Sequence, residues 1–203
     1  MQNRTDILNH LVETLNLQSY CEIGTQNRTS NFNKVKAPLK YCVDPDPAAK
    51  ADFIGTSDEF FAQNNAKFDL FFIDGLHHAE QVYKDYKNAL NCLSDKGVIV
   101  FHDMLPVHPQ HAKVPRESKV WNGDVYRVAF LIEEHERDNL AFVIVDIDHG
   151  CGVIRKLPQR LLAFSSTSEE DLKKYDWAYY QKNRESLPIV SPEEFKGIID
   201  PFK

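Results

Sequence analysis

No run of this sequence stays apolar long enough to cross a bilayer, which takes about twenty residues. The opening MQNRTDILNH carries no apolar stretch of the secretory kind. A membrane partner is therefore not expected. Cysteine is sparse: Cys21, Cys42, Cys92 and Cys151 lie far apart, three of them in apolar surroundings. That spacing specifies neither a disulfide frame nor a zinc site, and points to buried thiols in a reducing compartment, the cytoplasm. Positive charge is in deficit, with 24 Lys and Arg against 30 Asp and Glu. A phosphate backbone wants a basic face, so nucleic acid is not the expected partner. Repeats and low-complexity tracts are missing as well. What remains is 203 residues, 42% of them apolar, enough for one domain with a proper core and an extension.

The chain alternates between strand and helix patterns. Ile7, Leu8, Leu11, Val12 and Leu15 have helical spacing behind a cap at Thr5 or Asp6. Short strands follow at 20–23 and 41–43, the second stopped by Pro45 and Pro47. A third is expected at 53–55. Thr56 and Glu59 then have capping-box spacing before Phe60 and Phe61 begin a short helix. Residues 69–74 form an almost unbroken apolar run, as a strand covered on both faces requires. A helix over 78–93 presents Val82, Tyr83, Tyr86, Ala89, Leu90 and Leu93 on one face; Gly97 breaks it, and 98–101 is the next buried strand. Residues 104–123 are irregular and proline-rich. Asp124 can cap a helix with Val125, Val128, Ala129 and Ile132 inward. Strands at 141–147 and 151–156, joined by Asp148, His149 and Gly150, read as a closing antiparallel hairpin. Past Pro158 the chain is polar, with an aromatic group at Tyr175, Trp177, Tyr179 and Tyr180 that suits packing or a homodimer contact.

This alternation predicts an α/β fold, a doubly wound and mostly parallel sheet. Ligands bind such sheets at the carboxyl ends of the strands. Here those ends are Gly24, Asp44, Thr56, Asp74 and Asp103, each a glycine, a hydroxyl or a carboxylate. Gly24 precedes Asp44 by twenty residues. A tight glycine turn admits backbone to a ligand, and an acid on the second strand accepts from ribose hydroxyls, so the pair suits an adenosine ligand. Glu22 is a charge inside an apolar strand, costly unless paired. It either orients the glycine loop, holds an amino group, or serves a structural salt bridge. Asp74 and Asp103 end strands expected to be neighbours, and five of the eight histidines fall between 77 and 111.

Glu22-Ile23-Gly24-Thr25, Val43-Asp44-Pro45-Asp46-Pro47 and the stretch from Phe72-Ile73-Asp74-Gly75-Leu76-His77-His78 to Gly97-Val98-Ile99-Val100-Phe101-His102-Asp103 resemble a class I S-adenosylmethionine (SAM)-dependent methyltransferase. The match is to a bacterial group related to catechol O-methyltransferase. Trp121-Asn122-Gly123-Asp124-Val125 and Asp148-His149-Gly150-Cys151-Gly152 are similar to the same group. The resemblance implies a Rossmann-like methyltransferase domain over 1–156 and a C-terminal extension over 157–203 that packs on it or on a partner subunit. It implies that Gly24, Thr25 and Ser30 line the methionine end of SAM, with Glu22 near its amino group. Asp44 would hold the ribose, Ser57 and Asp58 would flank the adenine, and Asp74 would face the sulfonium. Gln26, Asn27 and Arg28 stand where the family has further glycines. Arg28, which does not readily take positive φ, would contact the methionine carboxylate.

In catechol-type enzymes the positions of Asp74 and Asp103 hold a divalent metal. Met104 stands where the family's third ligand, an amide, is expected; His78 or His102 would substitute, favouring Mn, Fe or Zn over Mg. His77 falls near the family's basic lysine and, with Asp103, would carry catalysis as a general base. The reaction implied is methyl transfer from SAM to an oxygen of a small-molecule acceptor, with metal assistance. The 104–123 loop, with His108, His111, Lys113, Arg116, Lys119 and Trp121, would act as a lid for an acidic or sugar-phosphate-like acceptor, or would simply be solvated. Two other readings stay open: a non-catalytic nucleotide-binding module on the same fold, and a metal-dependent hydrolase built on Asp74, His78, His102 and Asp103.

Overall fold

The structure is a computed structural model, and it describes residues 1–157 and 167–198. The strands are β1 (Ser19–Ile23), β2 (Leu39–Asp44), β3 (Phe53–Ile54), β4 (Phe68–Ile73), β5 (Leu93–Phe101), β6 (Leu140–Val145), β7 (Cys151–Lys156) and β8 (Ile189–Val190). They form one sheet in the order β3-β2-β1-β4-β5-β7-β6-β8. The pairs from β3 through β5 are parallel, whereas β7 lies antiparallel between β5 and β6. The sheet is thus the doubly wound, mostly parallel α/β sheet of the Rossmann-like methyltransferase fold, closed by an antiparallel hairpin. The strand order reverses between β1 and β4, and that switch point opens the crevice in which such sheets bind ligands.

Residues alternate along each strand, so β4 and β5 feed two cores. Phe71, Ile73, Ile99 and Phe101 face one side, where α2 (Ser57–Gln63), α3 (Ala79–Cys92) and α4 (Tyr126–His135) cover them. Leu70, Phe72, Val98 and Val100 face the other, under α1 (Arg4–Leu15) and α6 (Pro192–Gly197). Covering both faces is why 70–73 can be apolar without interruption. Residues beyond 166 complete these cores: β8 pairs with β6, Phe195 sits beside α1, and Tyr175, Trp177 and Tyr180, around α5 (Trp177–Asn183), pack on Tyr126 and Phe130.

Three local expectations change. The side chain capping α1 is Asn3, which accepts from the Asp6 N–H. Helix α3 ends at Cys92, before Gly97, which lies inside β5. Asp124 does not cap α4: its Oδ1 accepts from Ala79 N at 2.7 Å and so caps α3 across the fold. The Thr56–Glu59 capping box at the start of α2 is present in both directions. No described helix is long and apolar enough to cross a membrane.

Candidate functional site

The strand ends meet in one crevice of about 730 Å³. At its floor Gly24 follows β1, with φ +86°, and a Cβ there would collide with the Asp74 carbonyl oxygen and Gly75 Cα. Only glycine lets the first loop pass so close to the turn after β4. The loop then turns at Gln26, which takes φ +50°. Neither Asn27 nor Arg28 adopts a left-handed conformation. Arg28 points away from the crevice: its guanidinium pairs with Asp52 at 2.8 Å and lies over the Phe32 ring. The expected contact from Arg28 to a ligand carboxylate is therefore not made, because Asp52 and the Lys50 carbonyl already hold the side chain.

Asp44 lines the crevice at the end of β2 and is almost buried. Its Oδ2 accepts from Gln26 N at 2.7 Å and its Oδ1 from Asp46 N at 2.8 Å. Each oxygen keeps a lone pair for a further donor. Glu22 accepts from Asn31 Nδ2 at 2.7 Å and from the Tyr20 hydroxyl. Burial pushes its carboxyl up to about 7, against those two hydrogen bonds. Thr25 and Ser30 line the same crevice, as do Ser57 and Asp58 at the start of α2. Gln81 of α3, absent from the sequence reading, donates to Ser57, Asp58 and Asp85 there.

The opposite end holds a dense ionic cluster. Asp74, His102 and Asp103 place ligand-type atoms within 4.8 Å of one another. His102 Nδ1 is 3.2 Å from Asp74 Oδ1 and 3.0 Å from Asp103 Oδ2. His77 joins them, its Nε2 3.5 Å from Asp74 and its Nδ1 3.3 Å from Asp103. His77 Nδ1 is also 3.0 Å from the Trp121 carbonyl, which can only accept, so Nδ1 carries a proton, while Nε2 faces the Asp74 carboxylate. The ring stacks on Trp121 at 4.9 Å. His78 stands apart from this group: it occupies the residue before α3, and its ring meets the edge of Trp121.

Three parts of the cluster come from elsewhere in the chain. Arg4, in the first turn of α1, places Nη1 2.9 Å from His102 Nε2 and Nε 3.9 Å from Asp74. Asp148, in the β6–β7 turn, lies 3.6 Å from Arg4 and 3.5 Å from His102. Asn122 donates to Asp103 at 2.5 Å. Asp103, Asp148 and His149 all have positive φ although none is glycine. Such backbone costs about 1–3 kcal/mol per residue and tends to gather at functional sites. Burial disfavours ionised Asp74, but His102, His77 and Arg4 outweigh it and hold its carboxyl well below the usual carboxylate range. The same balance holds Asp148 low, through His102 and the Arg4 backbone. Burial opposes charge on His77 too, yet Asp74 and Asp103 raise it.

The irregular 104–123 segment reaches the crevice through Arg116, Val120 and Trp121. It is seated by Gly123, whose missing Cβ leaves room for the His77 carbonyl. Arg4 carried no local signal, being one cation in an N-terminal helix. Asp148 did carry one, since the Asp148-His149-Gly150 turn demands left-handed backbone.

Comparison with known proteins agrees with this architecture. Residues 33–104 match the sequence profile of a methyltransferase-domain family. An O-methyltransferase of Bacillus cereus, solved with S-adenosylhomocysteine (SAH), superposes with a TM-score of 0.52 at 14% identity, over 75% of this chain and 80% of that one. The Streptomyces achromogenes O-methyltransferase TomG, solved with SAM, gives 0.53 at 13% identity, over 75% and 79%. SAH-bound Podospora anserina methyltransferase PaMTH1 gives 0.53 at 17% identity, over 77% and 80%. No curated protein matches the sequence.

Proposed function

We propose that this chain, which carries a methyltransferase domain on the fold of the class I SAM-dependent O-methyltransferases, moves the methyl group of SAM to an oxygen of a small-molecule acceptor. One observation carries the reading: a single crevice runs from Asp44 and Ser57 at one end to Asp74 and His77 at the other, directly over Gly24. The residues present fit SAM. Gly24 leaves a hollow that any Cβ would fill, and Asp44 offers unused acceptor capacity at the end of β2. Asp74 supplies negative charge where the sulfonium would lie, and Glu22, pushed up to about 7, offers an acceptor where the amino group would lie. When bound, SAM supplies an electrophilic methyl group.

The protein's own part is positioning and proton removal. His77 is held by Trp121 through stacking and through Nδ1, while Nε2 faces Asp74 at 3.5 Å; the deprotonated ring, formed as pH rises past a raised histidine value, would take a proton from an acceptor hydroxyl. Asp103 faces the same ring and fixes its orientation. Leu76, Val120 and Trp121 form an apolar wall and Arg116 a cationic one around the acceptor end. An in-line approach of oxygen to methyl then needs only correct placement. A divalent ion does not fit the acid cluster as it stands, because the Arg4 guanidinium already faces Asp74, His102 and Asp148. All four cysteines are free, and a cytoplasmic setting suits them.

Isothermal titration with SAM and SAH tests the reading. Saturable binding at micromolar to millimolar concentration, about the range in which enzymes usually hold substrates, is expected. Absence of binding by both would overturn it.

A further inference from the structure

We infer that Arg4 is the built-in cation of the acid cluster and stands in for a divalent ion beside the acceptor. Three carboxylates, Asp74, Asp103 and Asp148, converge here on very little solvent, and buried acids need a counter-charge. Arg4 supplies it from α1, reaching Asp74 at 3.9 Å and Asp148 at 3.6 Å. Its own backbone N–H also donates to Asp148 at 3.0 Å, which pins the helix start to the cluster.

The contact with His102 decides where the protons lie. A guanidinium has only donors, so at 2.9 Å from Nε2 it competes for that nitrogen's lone pair. On the other side of the ring, Nδ1 lies between two carboxylate oxygens at 3.0 and 3.2 Å. A proton on Nδ1 satisfies both acids and occupies the direction in which a metal ion would share those same atoms. A metal would have to displace that proton and sit beside the guanidinium. The residue after Asp103 offers no help, since Met104 turns its sulfur onto Gly152. The cluster thus orients His77 and balances charge with chain atoms alone. Among the described residues no other Arg or Lys forms an ion pair with these three acids.

The inference rests on the proposed function only in naming the acceptor end, and its test is independent of it. Wild type and Arg4→Gln would be titrated with MnCl2 alone, followed by calorimetry and by the Mn(II) electron paramagnetic resonance signal, with SAH titrated separately. Wild type is expected to show no saturable site below millimolar Mn(II). Arg4→Gln is expected to gain one at least tenfold tighter, and Asp74→Asn added to it should remove that site. Arg4→Lys, which keeps the charge, serves if the glutamine variant does not fold, and should stay as metal-free as wild type. Tight stoichiometric Mn(II) binding by wild type, equal affinity in wild type and Arg4→Gln, or a metal site gained by Arg4→Lys would each overturn the inference. Loss of SAH binding alone would count against the methyltransferase reading instead.

Discussion

Asp44 shows how much a single side chain does here. Its two oxygens each tie down one backbone N–H, so it shapes both the first loop and the turn after β2 while facing the crevice. Asp44→Asn would turn an amide N–H toward one of those backbone donors. Hydrogen bonds to a charged acceptor contribute about 1.5–3 kcal/mol each, so SAH affinity is expected to fall by about tenfold to a hundredfold, measured by calorimetry. Asp85 has the opposite character. Burial pushes its carboxyl from the ordinary 3.8 up to about 6, although Gln81 donates to it. A raised acid binds its proton more tightly in the folded state, so folding is favoured below the unfolded value and loses stability as pH rises from about 4 to 6. Asp85→Asn keeps the acceptor and removes the ionisation. It is expected to match wild type in urea unfolding at pH 4 and to exceed it by about 3 kcal/mol at pH 8, on the scale of about 1.4 kcal/mol per pKa unit. A variant less stable than wild type at pH 8 would contradict this.

At the level of elements, helix starts position the crevice. α2 begins with the Thr56–Glu59 capping box, which sets Ser57 and Asp58 in the wall of the cavity. Thr56→Ala is expected to cost about 1 kcal/mol in denaturant unfolding and to weaken SAH binding modestly. The unit from β4 through α3 to β5 was readable because its apolar pattern changes from near-continuous to helical and back. The cap of α3 was not readable. Asp124 is 45 residues from Ala79, and nothing in its neighbourhood distinguishes an acid that caps its own helix from one that caps another.

For the molecule as a whole, the two ends of the described chain meet on one face of the sheet. Phe195 of α6 is fully buried with Ile7, Leu8 and Leu11 of α1, the helix that carries Arg4. Phe195→Ala is expected to cost about 3–5 kcal/mol, as large-to-small core changes do. Chemical denaturation followed by tryptophan fluorescence would measure it, and a loss below 1 kcal/mol would show that α6 docks only loosely. The same variant should loosen the hold of α1 on the acid cluster.

Sequence by itself determined the alternation of strands and helices, the polar residues at the strand ends, and hence the crevice that Glu22, Gly24, Asp44, Asp74, His77 and Asp103 share. Those features are local, because periodicity and punctuation are written within a few residues of where they act. Tertiary structure alone decided that Arg4 would enter the site from the N-terminal helix, that Arg28 would turn outward to Asp52, and that His78 would stand apart from its neighbour His77. Each of these depends on a partner far away along the chain. Which charge finds which counter-charge is settled by packing, not by spacing.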